Sequence, residues 1–182
     1  KRAFHPPPVR LTQRDKLILE TIHSHDGMLG FSQIQDLFFT GKSQAKKRLM
    51  LLYQNGYVNR PNRDQRRKIP EMIYWLDKKG AEIVASMNSL GSKELRWLKV
   101  PRWFQVEHDI AVNNFRILVK TTCANDNNID LAEWTSEREF RSFPDKISYT
   151  YQDRQLKRNI IPDGYFMLNT PKHHIRYLLE ID

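Results

Sequence analysis

The sequence has 182 residues and a hydrophobic content of 40%, which predicts a folded chain with one sizeable core or two small ones. Its single cysteine excludes an internal disulfide framework, and no apolar run approaches the length of a membrane span. We therefore expect a cytoplasmic protein without a membrane partner. The chain starts without methionine and ends in a predicted strand, so we also expect it to be part of a longer protein.

The net charge of +9 is confined to the first part of the chain. Residues 1–80 contain 16 Lys or Arg against 7 Asp or Glu, whereas residues 81–182 contain 14 of each. Positive charge gathered in one region attracts polyanions, whereas the same charge scattered evenly mostly aids solubility. The distribution favours nucleic acid as a partner, and a solvated basic face without a partner is the alternative.

The first elements are marked by proline and by a capping pattern. Residues 1–10 contain three consecutive prolines between basic residues, which predicts an extended basic arm. Thr12 followed by Asp15 is typical of a helix N-terminus, because each residue satisfies a backbone N–H of the other. A short strand over residues 28–31 and a second helix are expected to follow.

The stretch from Ser43 to Leu76 predicts a helix followed by a basic hairpin. Gly56 lies where a helix usually ends, because only glycine takes the left-handed conformation there without steric cost. Strands are predicted over residues 57–60 and 72–76, with PNRDQRRK between them. The apolar side of the helix consists of Ala45, Leu49, Leu52 and Tyr53. This succession is typical of a winged helix-turn-helix domain, which we place at residues 11–88.

In a winged helix-turn-helix domain the third helix enters the major groove and the wing lies along the backbone or minor groove. Gln44 suits a bidentate contact to adenine, whereas basic residues suit phosphates or guanines. The candidate DNA-binding residues on the helix are Lys42, Ser43, Gln44, Lys46, Lys47 and Arg48. Those on the wing are Arg60, Arg63, Arg66, Arg67 and Lys68. We expect double-stranded DNA as the partner, and a protein-binding adaptor is an alternative.

A polar linker is predicted over residues 89–102, before an α+β domain at residues 103–182. A long helix over residues 102–121 has a broad apolar face. Strands are predicted over residues 131–134, 147–151, 160–168 and 174–182. We expect this domain to be truncated at its C-terminus and to support a homodimer or contacts with replication or transfer proteins.

Three acidic residues near the end of the chain carry a candidate chemistry. Asp163 lies near the start of a predicted strand, and Glu180 and Asp182 alternate along the next strand and so share one face. Clustered carboxylates hold Mg²⁺ or Mn²⁺, which can activate water against a phosphodiester. The catalytic candidates are therefore Asp163, Glu180 and Asp182, and Asp163 and Glu180 are also metal candidates. Structural acids at the start of a strand are the alternative explanation.

The order helix, strands, PD and then E-x-D resembles the core of the restriction-endonuclease-like PD-(D/E)xK nucleases. Those enzymes usually have lysine two residues after the second acid, where this chain has Asp182. Many of them use an additional acid, and the resemblance implies Glu107, on the preceding helix, as that further metal candidate. We therefore predict a degenerate nuclease-like fold used for binding, without a cofactor. The alternative is a metal-dependent nuclease or nickase that uses Asp163 and Glu180 with Mg²⁺ or Mn²⁺.

Short segments along almost the whole chain together resemble the replication-relaxation family of bacterial mobile elements. They are LTQRDKLILETI, AKKRLMLLYQNGYV, IYWLDKKG, EHDIAVNNF, EWTSEREF, IPDGYFML and LLEID. The resemblance implies a winged helix joined to a nuclease-like domain, with a role in plasmid or integrative-element replication, transfer or their control. It implies no particular reaction.

Overall fold

The computed structural model describes residues 2–91 and 94–182, which fall into two compact units. The first unit extends to Ile110 and the second runs from Ala111 to Asp182, so the division lies after the linker predicted over residues 89–102. Each unit combines helices with antiparallel strands, which confirms the α+β class. Among the described residues, no helix is both long enough and apolar enough to cross a membrane.

The first unit follows the predicted order of helix, strand, two helices and two further strands. Its elements are α1 (Gln13–Ser24), β1 (Met28–Gly30), α2 (Phe31–Phe38), α3 (Lys42–Gln54), β2 (Val58–Asn59), α4 (Arg63–Arg66), β3 (Ile73–Leu76), α5 (Lys78–Met87), a 3-10 turn (Trp103–Gln105) and the start of α6 (Val106–Ala124). The strands form an antiparallel sheet in the order β1-β3-β2, with Met28 opposite Trp75 and Val58 opposite Leu76. The short helix α4 lies within the connection that the sequence predicted as a turn.

Local sequence explains where α1 and α3 begin and end. At α1, Thr12 donates its N–H to Asp15 Oδ2 at 2.6 Å, and Asp15 donates its N–H back to Thr12 Oγ1 at 3.3 Å, as predicted. At the end of α3, Gly56 has a φ of 80°. Its N–H donates to Tyr53 O at 3.1 Å, while the N–H of Tyr57 donates to Leu52 O at 3.0 Å. These two bonds close α3 and turn the chain into β2.

Two groups of buried apolar residues hold the first unit together. The predicted apolar side of α3 is buried, together with Ile18, Leu19 and Ile22 of α1. A second buried cluster joins strand residues to the first turns of α6: its members are Met28, Ile69, Ile73, Trp75, Val106 and Ile110. Gln33, which is also buried, donates from Nε2 to Ile110 O at 2.9 Å. The start of α6 is thus part of the first unit.

The second unit contains the remainder of α6, a three-stranded sheet and a separate hairpin. Its elements are β4 (Asp130–Ser136), α7 (Glu137–Ser142), β5 (Asp145–Tyr151), β6 (Arg154–Ile160), β7 (Gly164–Asn169) and β8 (His174–Leu179). The sheet has the antiparallel order β4-β7-β8, and β5 pairs with β6. Phe166 stacks between Trp134 and Tyr177, with ring centroids 5.5 and 4.8 Å away.

Two predicted strands of the second unit have the wrong limits. The strand expected over residues 160–168 is interrupted between β6 and β7, because Pro162 has no N–H for a ladder. The strand expected over residues 174–182 stops at Leu179, so Glu180 and Asp182 lie beyond it rather than at alternate positions within it. The ladder ends there because the N–H of Ile181 donates to Asp163 Oδ2, at 2.8 Å, instead of to a neighbouring strand.

Two elements of the second unit were not predicted. Strand β6 is exposed along its whole length and shows no apolar alternation, so the sequence carries little strand signal there. Its turn residues Gln152 and Asp153 both have positive φ, at 47° and 58°. Helix α7 does carry a signal, because Ser136 followed by Glu139 has capping-box spacing, and Glu139 accepts the N–H of Ser136 at 2.7 Å.

Candidate nucleic-acid interface

Helix α3 presents a polar face to the solvent, because its apolar side is buried in the core. Lys42 and Lys46 are four residues apart and therefore neighbours on the helix surface. The exposed candidates on this helix are Lys42, Ser43, Gln44, Lys46 and Lys47. This face carries three cations and two side chains that can donate and accept hydrogen bonds.

Arg48 differs from the other candidates on α3 because its guanidinium is turned towards α1. It donates from Nε to Asp15 Oδ1 at 2.7 Å and from Nη2 to Asp15 Oδ2 and to Arg10 O. The Asp15 side chain is completely buried. Arg48 therefore joins α3 to α1, and a phosphate would have to compete with a buried carboxylate for its guanidinium.

The connection between β2 and β3 is folded rather than open. Asn62 caps α4 through Oδ1, which accepts the N–H of Asp64 at 3.0 Å and that of Gln65 at 2.9 Å. Arg66 donates from Nη1 to Ile69 O at 2.7 Å, and Ile69 itself is buried. These contacts fix the connection, and the basic residues exposed on it are Arg63, Arg67 and Lys68.

A groove of about 530 Å³ separates α3 from this connection, and we call it the α3 groove. Four of the predicted DNA-binding residues line it: Lys42, Lys46, Arg60 and Arg66. Arg60 lies over the ring of Tyr53, 4.4 Å from its centroid, which limits where its guanidinium can go. The structure thus brings basic residues from α3 and from the β2–β3 connection to one surface.

Glu71 is the acid among the described residues that line the α3 groove. Its carboxylate accepts the N–H of Ser32 at 2.8 Å and the hydroxyl of Ser32 at 2.7 Å. Tyr74 also lines the groove, and burial raises the pKa of its phenol although the charge of Arg60 opposes this shift. The hydroxyl of Tyr74 therefore stays protonated and uncharged at neutral pH. Four cations line the groove against the one carboxylate of Glu71 among its described lining residues, so the balance of charge in the groove is positive.

The acidic candidates do not form a metal centre in the described part of the chain. Asp163 precedes β7 and holds the end of β8 through the N–H of Ile181, while Glu180 and Asp182 are exposed after β8. Glu107 is exposed on the part of α6 that belongs to the first unit. Among residues 2–91 and 94–182, no three or more His, Cys, Asp or Glu side chains are grouped to hold a metal ion. The nuclease alternative stays a prediction.

Lys99 lies in the predicted linker and Trp103 in the predicted second domain, but both contribute to the surface of the first unit. Trp75 donates from Nε1 to Lys99 O at 3.1 Å, which fixes this segment against β3. Lys99 and Trp103 line a cleft together with residues of the β2–β3 connection. A signal was present in RWLKVPRWF, which contains three basic and three aromatic residues, but only the fold relates it to the connection.

Comparison with known proteins gives one match. The model of the family described as replication-relaxation matches residues 19–182, which is nearly the whole chain. No curated protein and no solved structure shows a significant match.

Proposed function

Because the chain belongs to the replication-relaxation family, we propose that its first unit contains a winged-helix domain that binds double-stranded DNA of a mobile genetic element. Membership of this family points to a role in the replication of plasmids or other mobile elements. The step that we assign to this chain is duplex binding with a sequence preference, in plasmid replication, transfer or their transcriptional control.

The observation that carries the proposal is the meeting of two basic segments at the α3 groove. Lys42 and Lys46 come from α3, whereas Arg60 and Arg66 come from the β2–β3 connection, so distant parts of the sequence supply one positive surface. The charge is also divided between the units: the first has 20 Lys or Arg against 11 Asp or Glu, and the second has 10 of each. A duplex is a polyanion, which such a positive surface attracts.

In the proposed complex, the exposed face of α3 enters the major groove. Gln44 reads a base edge there, because its amide can donate to and accept from adenine. Lys42, Lys46 and Lys47 neutralise phosphates beside it. The exposed cations of the connection, Arg63, Arg67 and Lys68, follow the backbone as the wing. Arg48 stays with Asp15 and makes no DNA contact.

Salt dependence tests this proposal, because each phosphate contact releases counterions from the duplex. The logarithm of the affinity should fall by about 0.9 per contact for each unit of log salt concentration. Six contacts from α3 and the wing would give a slope of about −5. Fluorescence anisotropy with a labelled duplex, titrated at several salt concentrations, measures this slope for the intact chain.

Variants in which one basic residue is replaced by glutamine test whether the salt dependence of the affinity arises from this surface. Lys46→Gln and Arg67→Gln should each weaken duplex binding and flatten the slope by about 0.9. Lys120→Gln is the matched control, because it removes the same charge from an exposed position in the second unit. A salt-independent affinity, or equal losses in all three variants, would overturn the proposal. Unchanged duplex affinity in Lys46→Gln and Arg67→Gln would instead favour a protein-binding adaptor.

A further inference from the structure

A second cleft adjoins the α3 groove, because Arg60, Arg66 and Met72 line both of them. We call it the Trp103 cleft, and its volume of about 730 Å³ is within the range of sites for small ligands. One wall is the β2–β3 connection and the other is the segment from Lys99 to Trp103. Both walls belong to the first unit.

The Trp103 cleft is positively charged. Four cations line it, and no Asp or Glu is found among its described lining residues. Arg63 and Lys99 are exposed, and they approach the cleft from different walls. The cations are Arg60, Arg63, Arg66 and Lys99. A phosphate in this cleft would meet positive charge on both sides without a carboxylate to repel it.

Tryptophan rings distinguish this cleft from the α3 groove, which is lined by Phe31 and Tyr74 but by no tryptophan among the described residues. Tyr53, Trp75 and Trp103 all line it. Trp75 is only 4% exposed, and its ring meets Trp103 edge to face with centroids 5.8 Å apart. Trp103 is partly exposed, so its ring is held from within the unit and also reaches the cleft. Such a ring suits the face of an unpaired nucleobase, which gains stacking energy on it.

A base pair inside a duplex cannot use these rings, because its faces are already stacked on neighbouring pairs. Polar groups at the same place suit a base edge. Asn62 and Gln65 line the cleft, and their side-chain oxygens are committed to capping α4. Their amide N–H groups are therefore what they offer to a ligand, and these donors match the carbonyl oxygens of bases.

We propose that the Trp103 cleft binds a nucleotide unit of single-stranded DNA. The phosphate contacts Arg63 and Lys99, and the base stacks on Trp103. The proposal rests on the proposed function in one respect, namely that the nucleic acid on the adjoining α3 groove is DNA. A chain with both surfaces is suited to a junction where a duplex opens into a single strand.

A binding experiment with an oligothymidylate, free thymidine monophosphate and a duplex tests this proposal on the intact chain. The oligothymidylate should bind and quench tryptophan fluorescence, because stacking brings a base against Trp103. Its affinity should fall with salt by about 0.7 per phosphate contact on the logarithmic scale. If free thymidine monophosphate binds as tightly as the oligothymidylate, the site takes a mononucleotide and the strand proposal is wrong.

Variants separate this cleft from the duplex surface. Trp103→Ala should weaken oligothymidylate binding by about five- to a hundredfold, whereas Trp103→Phe should keep most of the affinity and lose most of the quenching. Thermal unfolding of both variants checks that the fold is intact, because Trp103 also packs against the buried cluster. Lys99→Gln, at an exposed position, should weaken the oligothymidylate but not the duplex, and Arg67→Gln should do the opposite.

The outcomes distinguish the two proposals. Salt-dependent duplex binding without oligothymidylate binding would overturn the cleft proposal and leave the proposed function standing. Oligothymidylate binding that Lys99→Gln weakens, without duplex binding, would support the cleft and overturn the proposed function. Equal effects of Lys99→Gln and Arg67→Gln on both ligands would show a single undifferentiated basic surface and would also overturn the cleft proposal.

Discussion

Arg48 on α3 donates hydrogen bonds from Nε and Nη2 to the two carboxylate oxygens of Asp15 on α1. The carboxylate also accepts the N–H of Thr12 at 2.6 Å and its hydroxyl at 2.7 Å, so it closes the N-terminus of α1 and joins that helix to α3. The Asp15 side chain is completely buried and that of Arg48 is 19% exposed. One carboxylate thus fixes the helix that carries the proposed base contact of Gln44.

Removing one partner of this ion pair should destabilise the first unit. Arg48→Met leaves a buried carboxylate without its cation, which typically costs about 3 kcal/mol of unfolding free energy. Lys47→Met changes the same charge at the neighbouring exposed position and should alter stability by less than about 0.5 kcal/mol. Urea unfolding followed by circular dichroism measures both values. Similar small effects in the two variants would show that the pair contributes no net stability.

The same contacts predict how stability changes with pH. Burial by itself raises the pKa of Asp15, but the hydrogen bonds from Arg48 and Thr12 outweigh it, so the pKa lies below the ordinary value of 3.8. A carboxyl whose pKa is lowered by folding adds stability that is complete above its unfolded-state pKa and is lost as pH falls through the folded-state pKa. We therefore expect the unfolding free energy to decrease as the pH is lowered from about 4. The decrease should be smaller in Asp15→Asn, and an equal pH slope in the two proteins would contradict this assignment.

Gly80 is required by the close approach of α5 to the chain before β2. A Cβ at this position would lie 2.0 Å from the backbone oxygen of Tyr57, which also accepts the N–H of Asp77. Gly80→Ala should therefore destabilise the protein even though alanine normally favours a helix by about 1 kcal/mol over glycine. Ser86→Gly and Ser86→Ala, at an exposed position of α5, measure the ordinary preference. A stabilised Gly80→Ala would mean that the helix moves away at little cost.

Gln44 and Lys46 should affect DNA binding in different ways. Loss of a bidentate base contact in Gln44→Ala should reduce discrimination at one base pair by about 1–3 kcal/mol and leave the salt slope unchanged. Lys46→Gln should weaken all duplexes alike, because a phosphate contact carries no sequence information. Selection from a random duplex pool, followed by sequencing, compares the preferences of the three proteins. An identical preference in Gln44→Ala and the unchanged chain would remove Gln44 from base recognition.

A supercoiled plasmid separates binding from cutting. The chain should retard the plasmid in a native gel without nicking it, with or without Mn²⁺, because the function that we propose is duplex binding alone. Asp163→Ala should retard the plasmid equally, since its carboxylate supports the end of β8 and no proposed DNA contact. Nicking that needs Mn²⁺ and disappears in Asp163→Ala would establish the nuclease alternative instead.

The local sequence determined most elements of the first unit. The capping pair Thr12 and Asp15, the buried side of α3 and the terminating Gly56 all act within a few residues of chain, so their signals can be read directly. The same holds for Asp77, whose side chain accepts the N–H of Lys78 at 2.8 Å where α5 begins, and for the α+β class. Family membership could also be inferred from the sequence, because the order of many segments identifies the family even though each segment alone is short.

Only the tertiary structure decided what individual side chains do. Arg48 has the same sequence signal as Lys46 and Lys47, but the turn of α3 directs it to a carboxylate 33 residues away. Likewise, Trp75 and Lys99 meet across 24 residues, and their contact builds the Trp103 cleft from a segment that looked like a linker. A pattern along the chain reports which residue types are present, whereas the assignment of a charge to a core, a groove or a cleft depends on contacts between distant residues.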